Sequence, residues 1–159
     1  IYEGANGIQA LDLVGRKLPK DGGRALMAFF GEITAFLKEN EANEAMKPYT
    51  APLAKGFGHL QQGSMWFMQN ALAKPDNAGA GSYDYMHMFG LVAFGFMWGQ
   101  MAKAALDKKA ADPSKAAQMD AKLLTGKFFM ERMMPETGAL LARISTGADT
   151  IMAMPADMF

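Results

Sequence analysis

MHMFGLVAFGFMWGQMA, residues 86–102, is 17 residues long and contains no aspartate, glutamate, lysine or arginine. Two readings compete for it. Seventeen residues lie at the lower limit for a helix that crosses a bilayer. A helix that is apolar all round is also what the centre of a helical bundle looks like. The stretch holds His87, Gln100 and three glycines, and Asp84 and Lys103 stand just outside it. We therefore read it as the buried central helix of a soluble bundle, without a membrane span.

Working outward from that helix, the segment PDNAGAGS (residues 75–82) reads as the clearest loop in the chain, with Ser82 as the N-cap of the apolar helix. The helix is expected to run to about Ala110. Asp112-Pro113 is a strong start signal, a capping side chain followed by proline at the first helical position. The fifth helix carries Met119, Leu123, Phe129, Met130 and Met133, and Pro135 kinks or ends it. Leu140, Leu141 and Ile144 form a further short stripe before Gly147.

Upstream, a third helix begins near Tyr49 to Pro52 and buries Leu53, Phe57, Leu60, Ser64, Phe67 and Leu72 before ending at about Lys74. The second helix carries Leu26, Phe29, Phe30, Ile33, Phe36 and Leu37 on one stripe. In the first, Ile8, Leu11, Val14 and Leu18 recur at helical spacing, Asn6 is a candidate cap, and Pro19, Gly22 and Gly23 form the break. No stretch alternates in the manner of a strand. The expected fold is all-α, an antiparallel bundle of four to six helices. Gly56, Gly58, Gly63, Gly90, Gly95 and Gly99 fall inside helices, where each is unfavourable by about 1 kcal/mol against alanine. Close helix–helix approach is the expected compensation.

The whole composition narrows function by exclusion. Sixteen basic and sixteen acidic side chains cancel, so no broad attraction to nucleic acid or anionic lipid is expected. The absence of cysteine removes disulfides, thiolate metal sites and cysteine nucleophiles, and fits a cytoplasmic setting. His59 and His87 fall on different helices without a paired-ligand spacing, so no metal site is expected and both read as satisfied or partly exposed. Met65, Met68, Met86, Met88, Met97 and Met101 read as core filler, and Trp66 and Trp98 as bundle packing. Lys103, Lys108 and Lys109 read as a solvated helix end, and no Gly-rich phosphate loop occurs.

The first nine residues, IYEGANGIQ, are different. Glu3 stands between an aromatic residue and a glycine just before a helix start. On spacing alone it is a carboxylate compensating a helix dipole. Tyrosine, glutamate and glycine in succession, then Ile8-Gln9 and a helix bearing Arg16, resemble the catalytic-base motif of the acyl-CoA dehydrogenases. The stretches YDYMHMFGLVAFGFMWGQMA and FFMERMMPETGALLARISTGAD are similar to the additional C-terminal helical domain of one bacterial branch of that family. Together the two resemblances cover nearly the whole chain.

The resemblance implies a division at residue 20. Residues 1–20 would be the end of the catalytic domain, base loop and last helix, and residues 21–159 the appended helical bundle. It implies that Glu3 is the general base removing the α-proton of an acyl-CoA, and that Gly4 lies in the substrate-binding position. Ala5, Asn6 and Gly7 align with positions contacting FAD, and Ala5 departs from the usual threonine by lacking a hydroxyl. It also implies electron-transfer flavoprotein as the electron acceptor and a homodimer or homotetramer for the complete enzyme. Ile1 would then be a cut inside a catalytic loop, and this chain a C-terminal piece, inert by itself. The alternative, from another class, is a non-catalytic helical interaction or oligomerisation module in which Glu3 only marks a helix start.

Overall fold

Glycine decides how the helices of this chain approach one another. The computed structural model describes residues 4–158; Ile1, Tyr2, Glu3 and Phe159 lie outside the described residues. In chain order the helices are α1 (Asn6–Asp12), α2 (Arg24–Glu39), α3 (Lys47–Asn70), α4 (Pro75–Ala111), α5 (Ala116–Arg132), α6 (Glu136–Ser145) and the single turn α7 (Asp149–Met152). No strand occurs among the described residues, and the fold is all-α.

Contacts fix the directions of the helices. Across the α3–α4 seam, Phe67 lies against Gly81, Met88 against Gly63, and Leu53 against Gly95 and Gly99. One set of numbers falls as the other rises, so the pair is antiparallel. The same reasoning makes α4 and α5 antiparallel, through Phe94 with Phe129, Trp98 with Lys122 and Lys109 with Asp120. On the other flank, α2 runs parallel to α4, with Phe29 against Phe89 and Phe36 against Phe96. α4 thus lies at the centre, touching α1, α3, α5 and α6. It is the one helix among the described residues long and apolar enough to cross a membrane by length and composition.

The interior glycines are notches for neighbouring side chains. A Cβ at Gly56 would stand 2.4 Å from Met134 Cε, and one at Gly95 would stand 2.8 Å from Met134 Sδ. A single methionine, itself 2 % exposed, is thereby keyed into both α3 and α4. Phe36 fills the notch at Gly99 and Met88 the one at Gly63. Four of the six expected close approaches are therefore present. Gly58 and Gly90 are the exceptions: nothing lies within 4 Å of a Cβ at either.

Punctuation read from the sequence holds at several places. Asp112 accepts a hydrogen bond from the Ser114 amide and starts a 3-10 turn, Pro113–Lys115, that runs into α5. α5 ends at Arg132, three residues before Pro135. The break after α1 takes Asp21, Gly22 and Gly23 through positive φ (52°, 66° and 79°), a region glycine enters at no steric cost.

Residues 75–82 correct the expected loop: they are the first two turns of α4. Pro75 fits a first helical position because its missing N–H has no partner there. Asn77 then donates to Asn70 O and accepts from the Ala148 amide, while Gly81 receives the Phe67 ring. These tertiary contacts outweigh local preference. Ser82 is not a cap but an interior residue whose hydroxyl donates to Gly79 O.

Burial needs correction as well. Ile8 (65 % exposed) and Leu11 (50 %) face outward, and Ala10 and Val14 are the buried residues of that segment. Leu72 lies beyond the end of α3 and is exposed, and Met133 is exposed too. Of the six methionines read as core filler, Met88 alone is buried; Met65, Met68, Met97 and Met101 are exposed and Met86 is half-buried. Where apolar residues occupy every side of a helix, periodicity cannot tell which side turns inward.

Candidate functional site

The chain enters α1 through Gly4 and Ala5. Ala5, not Asn6, occupies the N-cap position and makes no side-chain cap bond; Asn6 is the first helical residue. Gly4, Ala5 and Gly7 are exposed and Asn6 is half-buried. No atom beyond Gly7's own neighbours lies within 4 Å of a Cβ built there. Glu3, the residue with the sharpest predicted role, lies outside the described residues. Four of the five predicted site residues thus form one small-residue strip at the start of α1.

α1 does not continue as a regular helix. A π-turn, Leu13–Lys17, follows, and the Leu18 amide bonds to Leu13 O at 2.9 Å. The wider turn lets Asp12 meet both Arg16 and Lys17, four and five residues on. The Arg16 guanidinium, and after it the Lys17 ammonium, hold the Asp12 carboxyl down at about 2. Both basic side chains remain mostly exposed, so the cluster ties the π-turn together at the surface.

A groove of about 630 Å³ opens beside this segment, between Leu11, Val14 and Gly15, the first turns of α4, and Ile151 and Met152 of α7. Asn77 secures its far wall by bonding the Ala148 amide at 3.0 Å, next to the left-handed Gly147. Lys74 pairs with Asp149 over the same junction. The residue pattern did not announce this groove, because one of its walls is the segment read as a loop.

The polar groups in the core serve structure. Thr137 Oγ1 donates to Met134 O at 2.8 Å, so its contact of 2.9 Å with His59 Nδ1 requires the histidine to be the donor. Burial, and then the nearby Lys55 charge, lower the His59 pKa and favour this neutral ring. Ser64 Oγ donates to Leu60 O, which leaves Tyr85 as the donor in the 2.7 Å contact between the two hydroxyls. Burial pushes the Tyr85 phenol up to about 12. His87 is exposed, with Nδ1 on Tyr83 O. Every buried side-chain nitrogen and oxygen among the described residues has a partner. No group of three His, Asp or Glu side chains able to hold a metal gathers among them.

Comparison with known proteins gives this architecture relatives. Residues 29–155 match the family described as "Acetyl-CoA dehydrogenase C-terminal like". The match begins after the IYEGANGIQ motif and so is independent of it. The chain is 31 % identical over 153 residues to 3-methylmercaptopropionyl-CoA dehydrogenase of Ruegeria pomeroyi, covering 96 % of this chain and 26 % of that protein. It is 27 % identical over 163 residues to the broad-specificity linear acyl-CoA dehydrogenase FadE5 of Mycobacterium tuberculosis, covering 97 % and 26 %. The chain therefore spans about a quarter of the length of the curated relatives it matches. By its match over residues 29–155, the chain belongs to the acetyl-CoA dehydrogenase C-terminal-like family.

Proposed function

We propose that this chain is the C-terminal part of an FAD-dependent acyl-CoA dehydrogenase that oxidises an acyl-CoA to a trans-2-enoyl-CoA. The observation carrying the reading is the coincidence of two independent signals. The family match covers residues 29–155, and IYEGANGIQ stands ahead of it, running into α1. Residues 1–20 then close the catalytic domain and residues 21–159 form the appended bundle; the left-handed turn at Asp21–Gly23 suits that division.

In this reading Glu3 takes the α-proton. That proton is a weak acid next to a thioester, so its removal needs a positioned base and donors aimed at the developing enolate oxygen. The Glu3 amide is one such donor. Burial against substrate and cofactor would raise the carboxylate pKa toward that of an effective base. Gly4 admits the acyl-CoA close to the backbone. Ala5, Asn6 and Gly7 would hold the cofactor, and the small, exposed Ala5 and Gly7 leave room for it beside the backbone. With Ala5 in place of threonine no side-chain hydroxyl is available there, and a hydrogen bond to the cofactor at this position would have to come from the backbone. FAD, when bound, supplies the acceptor for the β-hydride, and electron-transfer flavoprotein takes the electrons onward.

Such a parent is a cytoplasmic homo-oligomer, and the 159-residue chain alone is inert because most of the flavin and acyl pocket lies elsewhere. The test is spectroscopic. The full-length parent should carry flavin whose visible absorbance bleaches anaerobically on adding acyl-CoA, while the 159-residue chain should bind no flavin. A parent that purifies with no flavin and cannot be reconstituted would remove the enzyme reading and leave the interaction module.

A further inference from the structure

Methionine and leucine are close in volume and exchange at small cost inside a protein, yet this chain distributes them differently. Three of its fourteen leucines are exposed, Leu11, Leu72 and Leu124, against nine of its fifteen methionines. Methionine is ordinarily among the residues most often buried. Here Met27 stands out from α2, Met65 and Met68 from α3, and Met97 and Met101 from α4. Met133 follows α5, and Met152, Met154 and Met158 lie at or beyond the end of α7. They are spread over five regions of the chain, so a single docking surface does not account for them. What distinguishes methionine from leucine at a wet position is its polarizable sulfur. The chain has no cysteine, so thioethers are its only oxidisable sulfur.

The buried thioethers are the ones the fold depends on. Met134 is keyed into Gly56 and Gly95, and Met88 into Gly63. A sulfoxide there would force a polar oxygen into a notch already filled by the methionine itself. Burial does not seal Met134. Together with Met130 it lines a cavity of about 70 Å³ whose other walls include Lys55, His59 and Pro135. Lys55 and Pro135 are exposed, so this cavity lies at the surface. A water needs roughly 10–15 Å³, and hydrogen peroxide, with two oxygens, fits the same space.

We propose that the exposed methionines are oxidation sites for hydrogen peroxide, a reversible scavenging coat that spares Met134. At each site the thioether sulfur attacks one peroxide oxygen, and the O–O bond breaks as the S–O bond forms. Sulfur gives up two electrons, the peroxide gains them, and after proton transfer water leaves. One thioether and one hydrogen peroxide thus become one sulfoxide and one water. At an exposed position the new oxygen meets solvent, and the packing beneath it is undisturbed. Sulfoxide reductases return the thioether, so the coat can be used again. The proposal is independent of the catalytic assignment of Glu3, because it concerns other residues and a different oxidant.

The experiment adds hydrogen peroxide to the full-length parent in stepwise molar equivalents and follows each methionine of residues 1–159 by peptide mass spectrometry. The exposed methionines should gain oxygen first, and Met134 sulfoxide should appear only after a lag. Met65→Leu, Met68→Leu, Met97→Leu and Met101→Leu combined should shorten that lag by about four equivalents, since each thioether consumes one peroxide. Treating the oxidised, unaltered parent with methionine sulfoxide reductase should restore the full lag. Oxidation of Met134 in step with the exposed residues would overturn the proposal, as would an unchanged lag in the fourfold variant. A fall in the thermal unfolding midpoint while Met134 is still unmodified would overturn it too, because the surface sulfoxides would then not be harmless. The order of oxidation in the unaltered parent needs no variant, so it decides the matter even where the four substitutions disturb folding.

Discussion

The inward and outward sides of α4 are built from the same residue types and behave in opposite ways. Inward, Gly95 and Gly99 admit Met134 and Phe36, and Tyr85, Met88 and Val92 are fully buried. Outward, Gly90 stands open and Tyr83, Met97 and Met101 are exposed. A helix apolar all round is satisfied by this bundle over part of its circumference. The difference between the two sides can be measured.

The largest effect is expected on the inward side. A Cβ at Gly99 would lie 2.9 and 3.1 Å from ring atoms of Phe36, and valine adds two methyl groups beyond it. Gly99→Val should destabilise the chain by about 2–3 kcal/mol in urea unfolding, by overpacking the seam against the Phe36 ring. A loss below about 0.5 kcal/mol would mean that the α2–α4 seam is looser than described.

Next comes the buried phenol. Tyr85→Phe removes the donor to Ser64 and should cost about 1 kcal/mol. The pH dependence follows from the raised pKa of Tyr85, about 12 against an ordinary 10.0. The neutral phenol is favoured by folding, so its contribution is complete below pH 10 and is lost as pH rises toward 12. Tyr85→Phe should flatten that alkaline decline, which thermal unfolding between pH 9 and about 11.5 would reveal.

The smallest effect has the opposite sign. Gly90→Ala should stabilise the 159-residue chain by about 0.5–1 kcal/mol, because the helix gains propensity and the new Cβ meets nothing. A destabilisation instead would erase the contrast between the sides.

The sequence made some of this legible and hid the rest for physical reasons. Signals that act within a few residues were readable: Asp112 with Ser114, the left-handed turn at Gly22 and Gly23, the end of α5 before Pro135. Interior glycines announced close packing, and four of the six deliver it. Residues 75–82 misled because their composition favours a loop locally, while their helix is held by Asn70, Ala148 and Phe67, partners that local composition cannot reveal. Met97 and Met101 misled because nothing in the apolar run of α4 distinguishes inside from outside, whereas Met65 and Met68 stand off the α3 stripe of Leu53, Phe57, Leu60, Ser64 and Phe67. The candidate site was readable only through its motif. Gly4 to Gly7 carry little chemistry of their own, and they gain meaning from Glu3 beside them.

Glu3 is accordingly where the account is most exposed. In the full-length parent, anaerobic stopped-flow should show that Glu3→Gln slows flavin reduction by acyl-CoA by about 10³-fold or more, with acyl-CoA binding retained and the flavin spectrum unchanged. Reduction within tenfold of the unaltered parent would contradict the assignment and return Glu3 to the helix start it precedes.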